Sequence, residues 1–255
     1  IFGYWFIAAS SLAIAFIGFI VWGHHMFVAG MSPIADIIFS FLTYFVAVPT
    51  AVKIFNWTAT LYKGKISFTT PMLYALGFIS LFLIGGLTGL FLANLGTDIH
   101  LHDTYFVVGH FHYVMVGAAV FAFFGALFHW LPKMFGRMYN EKWAKIGWFF
   151  NFVGFNLAFF PHFILGIQGM PRRYWDYPAE FQGLHFASTV GAYFIALGAL
   201  ISLAVFIHAM FKGERASDNP WGGKSLEWTI PSPPPTENFE KIPVVEEGPY
   251  DFVKH

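Results

Sequence analysis

Apolar residues run along this chain in six long blocks, with short polar stretches between them. The blocks cover roughly 2–22, 34–62, 68–95, 105–131, 144–166 and 186–211. A helix crosses the hydrocarbon core of a bilayer with about 20 mostly apolar residues, so each block predicts one spanning helix. The pattern breaks after Phe211. The following "KGERASDNPWGGKSLEWTIPSPPPTENFEKIPVVEEGPYDFVKH" is too polar to span, and its proline run favours an extended polyproline-like path. The expected architecture is all-α: a six-helix membrane bundle over 1–212 and an extended polar tail over 213–255 that lies against something else.

Composition supports the membrane reading. Hydrophobic residues make up 57% of the 255 positions and charged residues 11%, less than half the roughly 25% usual in a soluble domain. Mean hydropathy is +0.60. Thirty-four Phe and nine Trp exceed what one water-soluble core of this size could hide. The formal net charge is zero, so no global field points to nucleic acid, and the absence of cysteine excludes disulfides, thiolate metal sites and thioether-linked haem. The chain opens on Ile1 without a basic stretch, which is not the form of a signal peptide. It reads as a piece whose upstream part is missing.

Lysine and arginine set the orientation. Lys63 and Lys65, then Lys133, Arg137, Lys142 and Lys145, then Lys212 and Arg215 occupy alternate loops, and such residues collect on the cytoplasmic (or matrix) side. The opposite side holds 24–33, 96–104 and 169–182, with most of the histidines. Arg172 and Arg173 also fall there, an exception that calls for a local partner.

The chemistry concentrates in two stretches, "VWGHHMFVAG" and "HLHDTYFVVGHFHYVM". His110 and His112, two residues apart on a helix, leave on nearly opposite faces. Neutral imidazole is a leading iron and copper ligand, and a polar ring within a bilayer is costly without a partner. Hydrogen bonds to neighbouring helices are the ordinary alternative. His24 and His25 diverge by about 100° on a regular helix and can share one ion only where it loosens. Gly30 and Pro33 are consistent with a helix end there, and with a third imidazole the pair would suit copper. A water-facing interfacial pair is the alternative.

Lys53 sits nine residues inside the end of the second block, about 13 Å deep at 1.5 Å per residue. At that depth a lysine points to proton or ion movement, with Thr50 one turn away on the same face as a relay. Snorkelling is the alternative. Arg172 and Arg173 are suited to carboxylates or phosphates, lipid phosphate being the ordinary partner and haem propionates the sharper one. Asp98, His102 and Asp103 form a hard-ligand group for a divalent cation or proton exit, or a set of solvated loop residues. His129, His185, His208 and His255 read as structural or surface histidines.

Together these stretches resemble subunit I of the haem–copper oxygen reductases, of the cytochrome c oxidase type. "IGFIVWGHHMF", "AVPTAVKIFNW", "ALGFISLFLIGGLTGLFLAN", "LHDTYFVVGHFHYV" and "GMPRRYWDYP" follow the family's order and spacing, and "PWGGKSLEWTIPSPPP" resembles bacterial members. The resemblance implies the last six helices of a twelve-helix subunit. It implies His24 and His25 as two of three ligands of the active-site copper (copper B), and His110 as axial ligand of the oxygen-binding high-spin haem. His112 becomes a ligand of the low-spin haem, with Phe111 between the two. Lys53 and Thr50 would belong to a proton pathway, Arg172 and Arg173 would hold propionates, and His102 and Asp103, with Asp98 nearby, would border a magnesium site.

The implied activity is O₂ reduction to water with electrons from cytochrome c, coupled to proton translocation, using two haems (haem a and haem a3) and copper. Implied partners are the upstream half of the same subunit, a copper-bearing subunit II, subunit III, cytochrome c and the lipid membrane, with no nucleic acid. A bacterial plasma membrane is the implied location, ahead of the mitochondrial inner membrane. The third copper ligand and the second low-spin haem ligand are expected upstream of Ile1, so this piece is not active alone. The family's "FFPxHF" reads "FFPHFIL" here, which discourages any carried-over role for His162. A quinol-oxidising or nitric-oxide-reducing relative is the near alternative. A cofactor-free transporter or channel is the distant one.

Overall fold

The computed structural model describes residues 1–246 and 248–250. Six helical stretches are long and apolar enough to cross a membrane: Tyr4–Met26, Pro33–Leu61, Thr70–Ala93, Tyr105–Phe135, Glu141–Ile167 and Ala179–Lys212. They match the six apolar blocks within a few residues. No strand occurs among the described residues, only two isolated bridges, Thr104 with Pro171 and Arg137 with Arg215.

Three spans are interrupted where the candidate chemistry lies. The first is an α-helix over Tyr4–Ile20 (α1), then a tighter 3₁₀ turn over Trp22–Met26 that carries the histidine pair. The second divides into α2 (Pro33–Phe45) and α3 (Ala47–Leu61). Pro49 accounts for the break, because it has no N–H to give the Phe45 carbonyl and its ring crowds that oxygen. Ser32 caps the start of α2, accepting from the Ala35 N–H. The third span is uninterrupted: α4 (Thr70–Ala93), with Pro71 in its first turn, and a short α5 (Leu95–Leu101) follows it. The fourth span is α6 (Tyr105–Val114), one π-helical turn over Met115–Val120, and α7 (Phe121–Phe135). Such wide turns are rare and collect at functional sites; this one directly follows His110 and His112.

α8 (Glu141–Ile167) and α9 (Gln182–Lys212) form the closest helix pair. Small residues bring the backbones together, as between membrane helices generally. A Cβ on Gly154 would lie 2.6 Å from the Phe194 Cβ, and one on Gly198 the same distance from the Asn151 Oδ1. The aromatic core sits between α4, α6, α7 and α8, around the fully buried Tyr74, Tyr113, Phe128 and Phe155.

The first part of the tail, as far as residue 231, folds back on the lysine-rich end of α7. Lys133, a residue 5% exposed, donates through its ammonium to the carbonyls of Asp218 (2.8 Å), Ile230 (2.7 Å) and Pro231 (3.4 Å), and the ammonium lies over the Trp228 ring. The Trp221 indole N–H donates to the His129 carbonyl, and its ring stacks on the His129 imidazole. A buried ammonium is tolerable only when its donors are filled, and three main-chain oxygens fill these.

Candidate functional site

A cavity of about 1080 Å³ opens between α2, α3, α4 and α6, just above the usual range for small-molecule sites. His24, His25 and His110 line it, with Phe111, Thr43, Thr50, Asp98, His102, Asp103, Arg172 and Arg173. Two candidates lie off its wall. His112 leaves the opposite face of α6 and stacks on Phe159 of α8, with ring centroids 4.2 Å apart. Lys53 is one turn beyond Thr50, towards the lysine-rich side, its ammonium 5.2 Å from the centroid of Trp57.

Hydrogen bonding fixes how the histidines present themselves. His110 Nδ1 lies 3.0 Å from the Gly85 carbonyl and 3.2 Å from the Thr88 hydroxyl oxygen. A carbonyl can only accept, so Nδ1 carries the proton and the Nε2 lone pair is left for a metal, the usual wiring of a ligating imidazole. Gly89 makes room for the ring: a Cβ there would come within 3.0 Å of His110 Cε1. His112 is held in the same tautomer by Nδ1 donating to the Val108 carbonyl at 2.8 Å.

For His24 the logic runs through Thr43. The Thr43 hydroxyl donates to the Phe39 carbonyl at 2.6 Å. Its oxygen is then an acceptor for His24 Nδ1 at 3.3 Å, which again frees Nε2. The rings of His24 and His25 lie 4.1 Å apart on the 3₁₀ turn, so the pair stands where the regular helix has ended. Among the described residues, no three His, Cys, Asp or Glu side chains converge closely enough to hold an ion.

At the rim, two carboxylates are already engaged. Asp98, 3% exposed, accepts from His102 Nδ1 at 2.9 Å. Burial pushes its carboxyl above the usual carboxylate range, the His102 hydrogen bond pulling the other way. Asp103 accepts from Arg172 at 2.6 Å, stands 3.8 Å from Arg173, and its carbonyl takes the Arg172 N–H. This is the local partner that the two arginines called for. His102 and Asp103 are thereby brought to one rim but spent on different partners. The Arg172 Nε remains buried without a hydrogen bond.

The remaining histidines divide. His162 gives Nε2–H to the Ser188 oxygen at 3.0 Å, whose hydroxyl donates to the Ala158 carbonyl. His185 lies against the Met170 sulfur and stacks on Tyr177, while His208 is exposed near the end of α9. His255 lies outside the described residues. Sequence reasoning missed Gly85, Thr88 and Thr43, which fix the imidazole tautomers. Their signal was faint: small and hydroxyl residues on helices that nothing in the sequence pairs with a histidine.

Comparisons with known proteins place the chain in a family. The family described as "Cytochrome C and Quinol oxidase polypeptide I" matches residues 1–194. Cytochrome c oxidase subunit 1 of Synechocystis is 51% identical over 99% of this chain and 46% of its own length. That of Bacillus sp. PS3 is 49% identical over 96% of the chain and 40% of its own length. The chain thus spans about half the length of the curated relatives it matches. A heme-copper terminal oxidase dimer solved by cryo-EM shares the fold, with a TM-score of 0.65 at 23% identity, covering 76% of this chain and 40% of that one. Matched across most of its length, the chain belongs to the cytochrome c and quinol oxidase polypeptide I family.

Proposed function

We propose that this chain supplies the second half of the catalytic subunit of a terminal respiratory oxidase in a bacterial plasma membrane. The assembled enzyme reduces O₂ to water with electrons from cytochrome c and translocates protons. The observation that carries the reading is the meeting of His24, His25 and His110 on one cavity, with His24 and His110 each wired to leave Nε2 free. His24 and His25 would hold copper B, His110 the iron of a high-spin haem, and His112 that of a low-spin haem behind it. These groups, haem a3, haem a and copper, supply the redox chemistry when bound.

The residues present fit them. The cavity has the volume, its floor is apolar, and the orphaned Arg172 Nε is a donor awaiting a carboxylate such as a propionate. Arg172 and Arg173, steadied by Asp103, neutralise anionic groups at the rim. His102 and Asp98, with Asp103, border the exit side, where magnesium would sit. Thr50 on the cavity wall and Lys53 beyond it form a polar route from the lysine-rich side through apolar helices. One rigid helix carrying both His110 and His112 fixes the spacing of the two haems. The upstream half of the subunit, subunits II and III and cytochrome c complete the assembly.

Paired substitutions in the full-length subunit test the assignment. His110→Ala should abolish O₂ reduction and the carbon-monoxide-sensitive absorbance while leaving the low-spin band. His112→Ala should remove the low-spin band first. Loss of the same band in both variants would refute the division of roles.

A further inference from the structure

The packing of α8 on α9 changes character at the lysine-rich end. Through most of their length the two helices touch through small residues; a Cβ on Gly147 would stand 2.8 Å from the Ser202 hydroxyl. One turn nearer the lysine-rich side the facing positions are Trp143 and Val205. There the contact gives way to a groove of about 380 Å³ lined by Asn140, Trp143, Ile201, Ala204, Val205 and His208. Its floor is aliphatic and its upper edge polar, and Trp143 is 54% exposed beside it. Trp at such a boundary marks the headgroup level of a bilayer.

Basic residues outnumber acids around this edge. Lys142 adjoins Trp143, and Lys212 follows His208 by four residues, one turn further towards the water on the same face of α9. Both are exposed and neither forms an ion pair among the described residues. The nearest acid on α8, Glu141, is already engaged: it accepts from the Thr70 N–H at 2.6 Å and pairs with Lys145 at 3.6 Å. Glu214, two residues beyond Lys212, is exposed, and its main-chain carbonyl accepts from the Met138 N–H. A largely aliphatic groove, with an exposed lysine on each of the two helices that form it, is complementary to an anionic lipid.

We propose that this groove is a binding site for an anionic phospholipid of the leaflet on the lysine-rich side. One acyl chain lies along Ile201, Ala204 and Val205, and the phosphodiester headgroup is held between Lys142 and Lys212. Asn140, Trp143 and His208 face the ester region. The site does not rest on the haem–copper reading, since none of its residues lines the histidine cavity.

The test uses the assembled complex, purified in mild detergent and transferred to phosphatidylcholine nanodiscs doped with phosphatidylglycerol. Native mass spectrometry then counts retained lipids of each kind. Attraction to anionic lipid of roughly fivefold per lysine predicts that phosphatidylglycerol is retained over phosphatidylcholine by on the order of twentyfold. Lys142→Gln with Lys212→Gln should bring the ratio close to parity. Ala204→Trp, which fills the slot from an exposed position, should remove the retained lipid of either class. Unchanged visible absorption in each variant verifies that the bundle is intact. Equal retention of both lipids by the wild type, an unchanged ratio in the double variant, or cross-linking of Trp143 to another subunit would overturn the proposal.

Discussion

The second span and the fifth contrast most sharply in this molecule. In the apolar window of α2 and α3, 6% of residues are buried inside the protein; in that of α8 the share is 50%. α8 is clasped by α9 and α6, with glycines where the backbones approach. α1 buries only Ser10 and Ile17, and turns Leu12, Phe16 and Phe19 outwards. The histidine cavity lies at the seam between these regions. His24, His25, Thr43 and Thr50 come from the open arm, and His110 from the edge of the dense block. The dense block holds geometry, since a close-packed interior does not deform gradually. The open arm offers surface, polar side chains at depth and room for further helices.

The contrast can be broken most severely on the dense side. Gly154→Leu would drive a side chain into Phe194 and the Ile195 backbone. Such overpacking costs about 1–3 kcal/mol or more, so the complex should lose most of its yield and melt earlier in a thermal assay. Leu12→Ala, at a site 76% exposed, should change stability by no more than about 0.5 kcal/mol. Equal effects would mean that α1 packs as tightly as α8.

On the open side the effect should fall on activity instead. Lys53→Met in the intact enzyme should slow steady-state turnover on the order of a hundredfold or more, the scale of a lost proton-transfer group, with visible spectra unchanged. Undiminished turnover would remove Lys53 from proton delivery. Thr43→Val takes away the acceptor for His24 Nδ1. It should weaken copper retention by about 10–100-fold, read as copper per haem after dialysis against a chelator. Intact copper content would show that the His24 tautomer is held by something else.

Much of the fold was legible in sequence because a bilayer demands long apolar runs; all six spans follow from that rule. The break in the second span was legible in principle, since Pro49 must cost the Phe45 carbonyl its partner. The π-helical turn after His112 was not, because no residue type dictates it. The seating of the tail on α7 was not legible, for a physical reason. Lys133 looked like one more charge on the lysine-rich side, yet its partners are main-chain carbonyls 85 to 98 residues away, which no side-chain pattern announces. At the candidate site, the opposite faces of His110 and His112 and the loosened helix at His24 and His25 followed from helix geometry. The partner of Arg172 did not, because Asp103 lies in a different loop. Which metal or haem each imidazole serves came from the family resemblance, not from spacing.

The proposed roles give His110 and His112 two haems of different accessibility on opposite faces of one helix. A reduced-minus-oxidised spectrum of the assembled complex, repeated under carbon monoxide, tests them most directly. The account predicts an a-type band of which one part shifts with carbon monoxide and the other, belonging to the His112 haem, does not. A band that shifts as a whole, or a complex with its upstream half in place and no haem, would contradict it.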